Sequence, residues 1–447
     1  MSTRHDAMPL AGLRILDTSH VFAIPYATSL LAHLGAEVIR IQTHRKMDLM
    51  APLGPYPEND PGERPWDRIG SLNSVNRAKR GLSLDISLPE GANIYRRLVA
   101  VSDVVAESFT PRVMKKLGLD YEALAKINPL LIMLSNTGYG HTGPWREYGS
   151  VATSLEGTSG MCWLSGYEDG PPSKIGQSYT DFITCWTAAY AILASVYRRN
   201  RTKRGQWIDL AMYQAGVSTI GPLVMDYLAN GNVPARIGNR HPTSVPHGVF
   251  PCQGQDRWIA LAIDSDDAWQ RLCQAANDAP WSQEAGFTSL AGRMADSERL
   301  EASIREWTSK HDALDLASRL QNAGVMASAV ENGRDLLQNE QLKARGFFPK
   351  VAHGPISGVG NRRYPGIPWQ LSGAPTPAAR PAPTLGEHNQ QILADLLQLS
   401  DVEIENLRSR GIIGTEISGP ANISPLPLEE LRTNRRIGIH DPEYPHY

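Results

Sequence analysis

Strand, helix and strand succeed one another between Leu13 and Ile41, and that order dictates a parallel sheet. Leu13-Arg14-Ile15-Leu16-Asp17 reads as a short buried strand, Tyr26 to Leu34 as a helix, and Ala36-Glu37-Val38-Ile39-Arg40-Ile41 as the next strand. A helix between two strands carries the chain back to the edge where it started, so the strands run the same way. Pro25 suits the first helical turn, where a missing N–H costs nothing, and Gly35 suits the stop. The pattern then repeats. Ser87-Leu88-Pro89-Glu90 has the spacing of a capping box, Ile94, Leu98 and Val101 follow at helical intervals, and Asp103 to Ala106 and Leu131 to Ser135 read as strands. A long helix is predicted from Phe182 to Tyr197, then a strand at Trp207 to Leu210.

From Gly231 the texture changes. Gly238-Asn239-Arg240-His241-Pro242 is loop chemistry, Trp258 to Ile263 is a strong strand, and helical stretches run through Trp307 and Leu320. Pro375, Pro377, Pro381 and Pro383 mark an extended linker, and the tail after Gly419 is again Pro-rich. A chain of 447 residues exceeds one ordinary core, so two domains are expected.

A net charge of −2 gives no electrostatic case for nucleic acid or an anionic membrane. Cys162, Cys185, Cys252 and Cys273 stand apart, which speaks against structural zinc or a disulfide scaffold. With no apolar leader and no run of the roughly 18 residues a membrane helix needs, a reducing cytoplasm is the expected setting. Gly358-Val359-Gly360 lacks the third glycine of a dinucleotide loop, and Gly157-Thr158-Ser159-Gly160 lacks the last glycine of a nucleophile elbow.

Asn136-Thr137-Gly138-Tyr139-Gly140-His141-Thr142-Gly143-Pro144 resembles the signature turn of the class III coenzyme A transferases, a family related to acyl-CoA racemases. The likeness extends from Leu10 to Leu397 and includes Leu10 to Asp17, Ser19 to Pro25, Asn76 to Asp85, Ala106 to Pro111, Gly205 to Asp209, Gly238 to Pro242 and Ala382 to His388. It implies a Rossmann-like α/β large domain built from both chain ends, a smaller inserted α/β domain, and an interlocked homodimer. The boundaries it implies are 1–224, 225–330 and 331–447, the last being a linker and a return to the first domain. By the same resemblance CoA or acyl-CoA is bound as substrate, no cofactor is held tightly, and a carboxylic acid accepts the CoA.

The family's CoA contacts map onto His20, Val21, Ala23, Asn76, Lys79, Phe109 and Lys116. Phe109 is expected to stack on adenine, and Lys79 and Lys116 to meet phosphates. The family's nucleophile is an aspartate eight residues after the proline of the turn, and that position is Ala152; the racemases' histidine position is Val151. Three groups are candidates to act instead. Glu156 follows Ala152 by one helical turn, Asp181 matches the racemases' acid, and His141 titrates near neutrality. Each also has a structural reading, as a packing glutamate, a hydrogen-bonding aspartate or a loop histidine. The resemblance implies a CoA-transferase. The alternatives are a non-covalent acyl-CoA isomerase, racemase or hydratase, and a CoA-binding homologue without turnover.

Overall fold

Neighbouring apolar residues on one strand point to opposite faces, and here both faces are covered. A computed structural model describes residues 8–447 except 422, 443 and 445–447. Its six-stranded sheet contains β1 (Arg14–Asp17), β2 (Glu37–Gln42), β3 (Arg80–Ser83), β4 (Val104–Glu107), β5 (Ile132–Thr137) and β6 (Gln206–Ala211). The strands are parallel and lie in the order β3-β2-β1-β4-β5-β6. Ile15, Val104 and Ile132 enter one core with Ile24, Leu31 and Ile192. Leu16, Val105 and Met133 enter the other. That second core is completed by Ile392, Leu393 and Ile404 from the helices Asn389–Leu397 and Asp401–Ser409. The end of the chain therefore closes the domain its beginning opened.

The predicted capping box does not form. Asp85 Oδ1 accepts from both the amide (3.0 Å) and the hydroxyl (2.5 Å) of Ser87, while Glu90 pairs with Arg410 at 2.6 Å. An ionised acceptor two residues away outcompetes the helix amides for Ser87, and Pro89 starts the helix on its own fixed φ.

The chain divides into two compact units. One comprises residues up to 161, 175–221 and 340 onward; the other comprises 162–174 and 222–339. The second holds the antiparallel strands β7 (His247–Pro251), β8 (Trp258–Ala262) and β9 (Met326–Ala329), with Phe250, Ile259 and Leu261 packed against Trp269, Ile304 and Leu316. Its limits differ from the 225–330 reading for traceable reasons. Trp163 Nε1 donates to Pro234 O at 3.0 Å, which attaches 162–174 to this unit. Arg257 pairs with Asp335 at 2.6 Å, which attaches the residues beyond 330. Among the described residues, no helix is long and apolar enough to cross a membrane.

Candidate functional site

The helix leaving β1, Ala23–His33, packs on the face of Ile15, while Met114, from the helix leaving β4, packs on the face of Leu16. Neighbouring strands whose connections diverge open a crevice at their carboxyl ends. A cavity of about 580 Å³ lies there, lined by His20 and Val21 beyond β1, Arg45 to Leu49 beyond β2, Leu84 to Ser87 beyond β3, and Ser108, Phe109 and Val113 beyond β4.

Next to Thr18, which lines the cavity, the end of β1 holds a buried ion pair. Asp17 ends β1; its Oδ2 accepts from Lys79 Nζ at 2.7 Å and Thr28 Oγ1 at 2.6 Å, and its Oδ1 accepts from the Ser19 amide at 3.0 Å. Lys79 Nζ also donates to Pro25 O (2.7 Å) and Asn76 Oδ1 (2.8 Å), so its three protons are all engaged. Burial alone would raise the Asp17 carboxyl, but Lys79, Ser19 and Thr28 more than offset it and hold it below the usual carboxylate range. Burial pulls Lys79 down to about 8 against the attraction of Asp17. Asn76 is fully buried and donates from Nδ2 to Leu72 O. Asn76 and Lys79, expected at the phosphates, are thus internal struts that shape the loop from beneath. Ala23 is buried as well, leaving only its backbone to face a ligand.

The walls are joined by polar and aromatic contacts. The His20 amide donates to Ser108 Oγ at 2.9 Å, its ring meets Phe109 edge-on at 5.1 Å, and its Nδ1 lies 3.7 Å from Asp48. Val21 has φ +68°, a strained conformation for a β-branched residue, which kinks the chain just before the helix. That helix has no side-chain cap at its N-terminus. The amide of Phe109 donates to Glu107 Oε2 at 2.8 Å, and burial pushes Glu107 up to about 7. Lys116 is exposed on the helix whose Val113 lines the cavity. Arg45 and Lys46 were missed in the sequence, although a basic pair directly after a strand is a readable signal. Arg45 is bound by Asp85 at 2.9 Å; Lys46 is exposed and forms no ion pair with a described residue.

The signature turn leaves β5 and is anchored on β6. The His141 amide donates to both carboxylate oxygens of Asp209, at 3.0 and 3.1 Å, and Gly140 N to Thr137 Oγ1 at 2.9 Å. A Cβ on Gly138 would stand 1.9 Å from Ser150 Oγ, so only glycine permits this approach. The imidazole of His141 meets the edge of Trp207 at 5.2 Å, and burial keeps it below its usual value and neutral at pH 7.

Ala152 begins the helix Ala152–Thr158 and is half-buried, whereas Glu156, one turn on, is fully buried. Glu156 Oε1 accepts from Tyr179 N at 2.6 Å, at the first residue of the helix Tyr179–Thr202. Asp181, in that helix's first turn, is 8% exposed. The i, i+4 spacing put Ala152 and Glu156 on one helix as expected, but the glutamate faces the interior and anchors a helix start. The second unit carries a separate cavity of about 590 Å³, rimmed by Asn239, Arg240 and His247 and floored by Ala260, Ala262 and Ser328.

The profile of CoA-transferase family III matches residues 10–389. The succinate–glutarate CoA-transferase of Agrobacterium fabrum is 32% identical over 87% of this chain and 96% of its own. The succinyl-CoA–L-malate CoA-transferase beta subunit of Chloroflexus aurantiacus is 29% identical over 91% of this chain and 98% of its own. In structure, a CAIB/BAIF family protein from Brucella suis superposes with a TM-score of 0.77 at 31% identity, covering 87% of this chain and 99% of that one.

Proposed function

This chain belongs to CoA-transferase family III, and on that premise we propose that it moves CoA between an acyl-CoA and a short dicarboxylic acid, with the nucleotide end of CoA held between β1 and β4. The crevice is the observation that carries the proposal. It joins an aromatic face at Phe109 with the exposed cation of Lys46, which suit adenine and phosphate respectively, and Val21 on its lining leads into a helix without a side-chain cap. Lys116 adds positive charge on the helix whose Val113 lines the crevice, and Lys79 and Asn76 hold the end of β1 behind it. The dicarboxylate class follows from the acids that the relatives' names carry.

The chemistry turns on the vacant carboxylate. In the covalent route a carboxylate attacks the thioester carbonyl, CoA leaves as thiolate and returns onto the resulting anhydride, and the acceptor acid then collects it. The methyl of Ala152 does none of this. Glu156 is sealed against Tyr179 N, so we assign it the helix start and keep Asp181 and His141 as the candidate polar groups.

A second reading is favoured by Ala152 together with the two-subunit naming of the L-malate enzyme: this chain binds CoA beside a second family III chain that carries the aspartate. In a homodimer or such a pair, the exposed aromatic face of the Tyr179–Thr202 helix, with Tyr190 at 75% and Tyr197 at 65%, would be covered. Four free cysteines accord with a reducing compartment.

Calorimetry with CoA tests the crevice: Phe109→Ala and Lys46→Ala should each weaken binding several-fold, and no heat at millimolar CoA removes the proposal. Chromatography of CoA exchange tests the chemistry. Turnover by the chain alone supports a transferase working without the usual aspartate. Binding without turnover, with activity gained in Ala152→Asp, supports the paired reading.

A further inference from the structure

We propose that residues 415–426, a strap near the end of the chain, position the crevice wall formed by Arg45, Lys46, Met47 and Asp48, and so set the affinity for the ligand of the crevice. The strap lies beyond residue 389, where the family match ends. The inference rests on the CoA reading above only for the identity of that ligand.

Apart from the strap, the wall segment is held by scattered side-chain ties, Arg45 to Asp85 among them, rather than by regular structure. Between β2 and the helix Gly70–Val75 it contains the three-residue turns Ala51–Leu53 and Pro57–Asn59 and one helical turn at Pro65–Arg68, with no strand paired to it. Its apolar cluster is small: Ala51, Tyr56, Ile69 and Leu72 are buried, and Met47 and Met50 pack against them. A segment with so few buried contacts opens readily unless something else ties it down.

The strap supplies such ties at residues 415, 418, 419, 423 and 426. Arg64 Nη2 donates to Thr415 O at 2.6 Å while its Nε binds Asp67 at 2.8 Å. The amide of Ser418 donates to His44 O at 2.9 Å, the residue next to Arg45. Gly419 then passes over the carbonyl of Arg45 so closely that a Cβ would stand 2.6 Å from its oxygen. Ile423 packs on the cluster that also holds Met47 and Met50, and Asn59 Nδ2 donates to Leu426 O at 2.9 Å. Backbone, charge and apolar contacts thus all bear on the segment that carries the free cation of the crevice. If release of the strap leaves the wall in its binding shape about a tenth of the time, affinity falls by the same factor.

The test compares the full chain with one ending at Gly414 and with the full-length variant Gly419→Val, which forces the strap off Arg45. Hydrogen exchange without ligand reads the wall directly: amides of residues 45–60 should exchange about tenfold faster in both altered proteins, while those of β1, β4 and β5 keep their protection. Calorimetry should show the CoA dissociation constant raised about tenfold. A synthetic peptide of residues 415–426 added to the truncated chain should restore part of both. Unchanged exchange at 45–60 in Gly419→Val overturns the proposal, as does faster exchange there with unchanged CoA affinity. Should the intact chain bind no CoA, the crevice reading falls, and the exchange data alone decide whether the strap orders the wall.

Discussion

Lys79 is where sequence and structure part most clearly. A lysine among Asn76, Arg77 and Arg80 at the start of a strand reads as a surface cation awaiting a phosphate. Its partner Asp17 is 62 residues distant, and no local pattern joins them. Truncating one member of a buried pair strands the other, and that penalty is about 3–5 kcal/mol. Lys79→Met is therefore expected to lose roughly that much stability in urea denaturation, with Asp17→Leu/Lys79→Met recovering part of it. An equally stable single variant would show that the pair does not hold the end of β1. The corollary is practical: weaker CoA binding in a Lys79 variant reports on a damaged fold and not on a lost phosphate contact.

Among the elements, the strands were legible because both faces of the sheet are buried. Ile15-Leu16, Val38-Ile39 and Val104-Val105 each feed two cores, and uninterrupted apolar pairs of that kind have no other use in a parallel sheet. Helix starts were less legible, since Ser87 chose Asp85 and Glu156 serves Tyr179, both decided by tertiary placement. The end of β4 carries a pH dependence of its own. Burial raises Glu107 from 4.5 to about 7, so the folded chain holds a proton that the unfolded chain releases. The associated stability is present below about pH 4.5 and is lost as pH rises through about 7. Glu107→Gln, uncharged throughout, should thus gain on the native chain by on the order of 3 kcal/mol between pH 4.5 and 8.5. Parallel stability curves for the two proteins would contradict the buried, proton-retaining state.

At the scale of the whole molecule, composition marked a change of texture near Gly231 and a Pro-rich linker, while the return of the chain end to the first domain was implied only by the family resemblance. The exposed apolar surface was not legible, because sequence periodicity cannot say which face of a helix lacks a partner. The helix Gly221–Asn230 has no buried residue although Met225 and Leu228 are 61% and 70% exposed. Surface of that kind suits burial against a partner chain, as proposed above. The chain is expected to sediment as a dimer at nanomolar concentration, alone or with a second family III chain, and Tyr190→Asp should shift it toward monomer. A well-folded monomer at micromolar concentration would refute the dimer.

The closing of the first unit by its last helices has a consequence for how the protein is made. A ribosome delivers all six strands of the large sheet by residue 211, but Ile392, Leu393 and Ile404 are still more than a hundred residues from the exit tunnel. Residues 222–339 emerge complete in between, with their own core. The second unit is consequently the first able to finish folding, while one face of the earlier-made sheet stays only partly covered, by helices such as Pro89–Ala100, until synthesis is nearly over. For this chain, the order of birth and the order of completion are reversed.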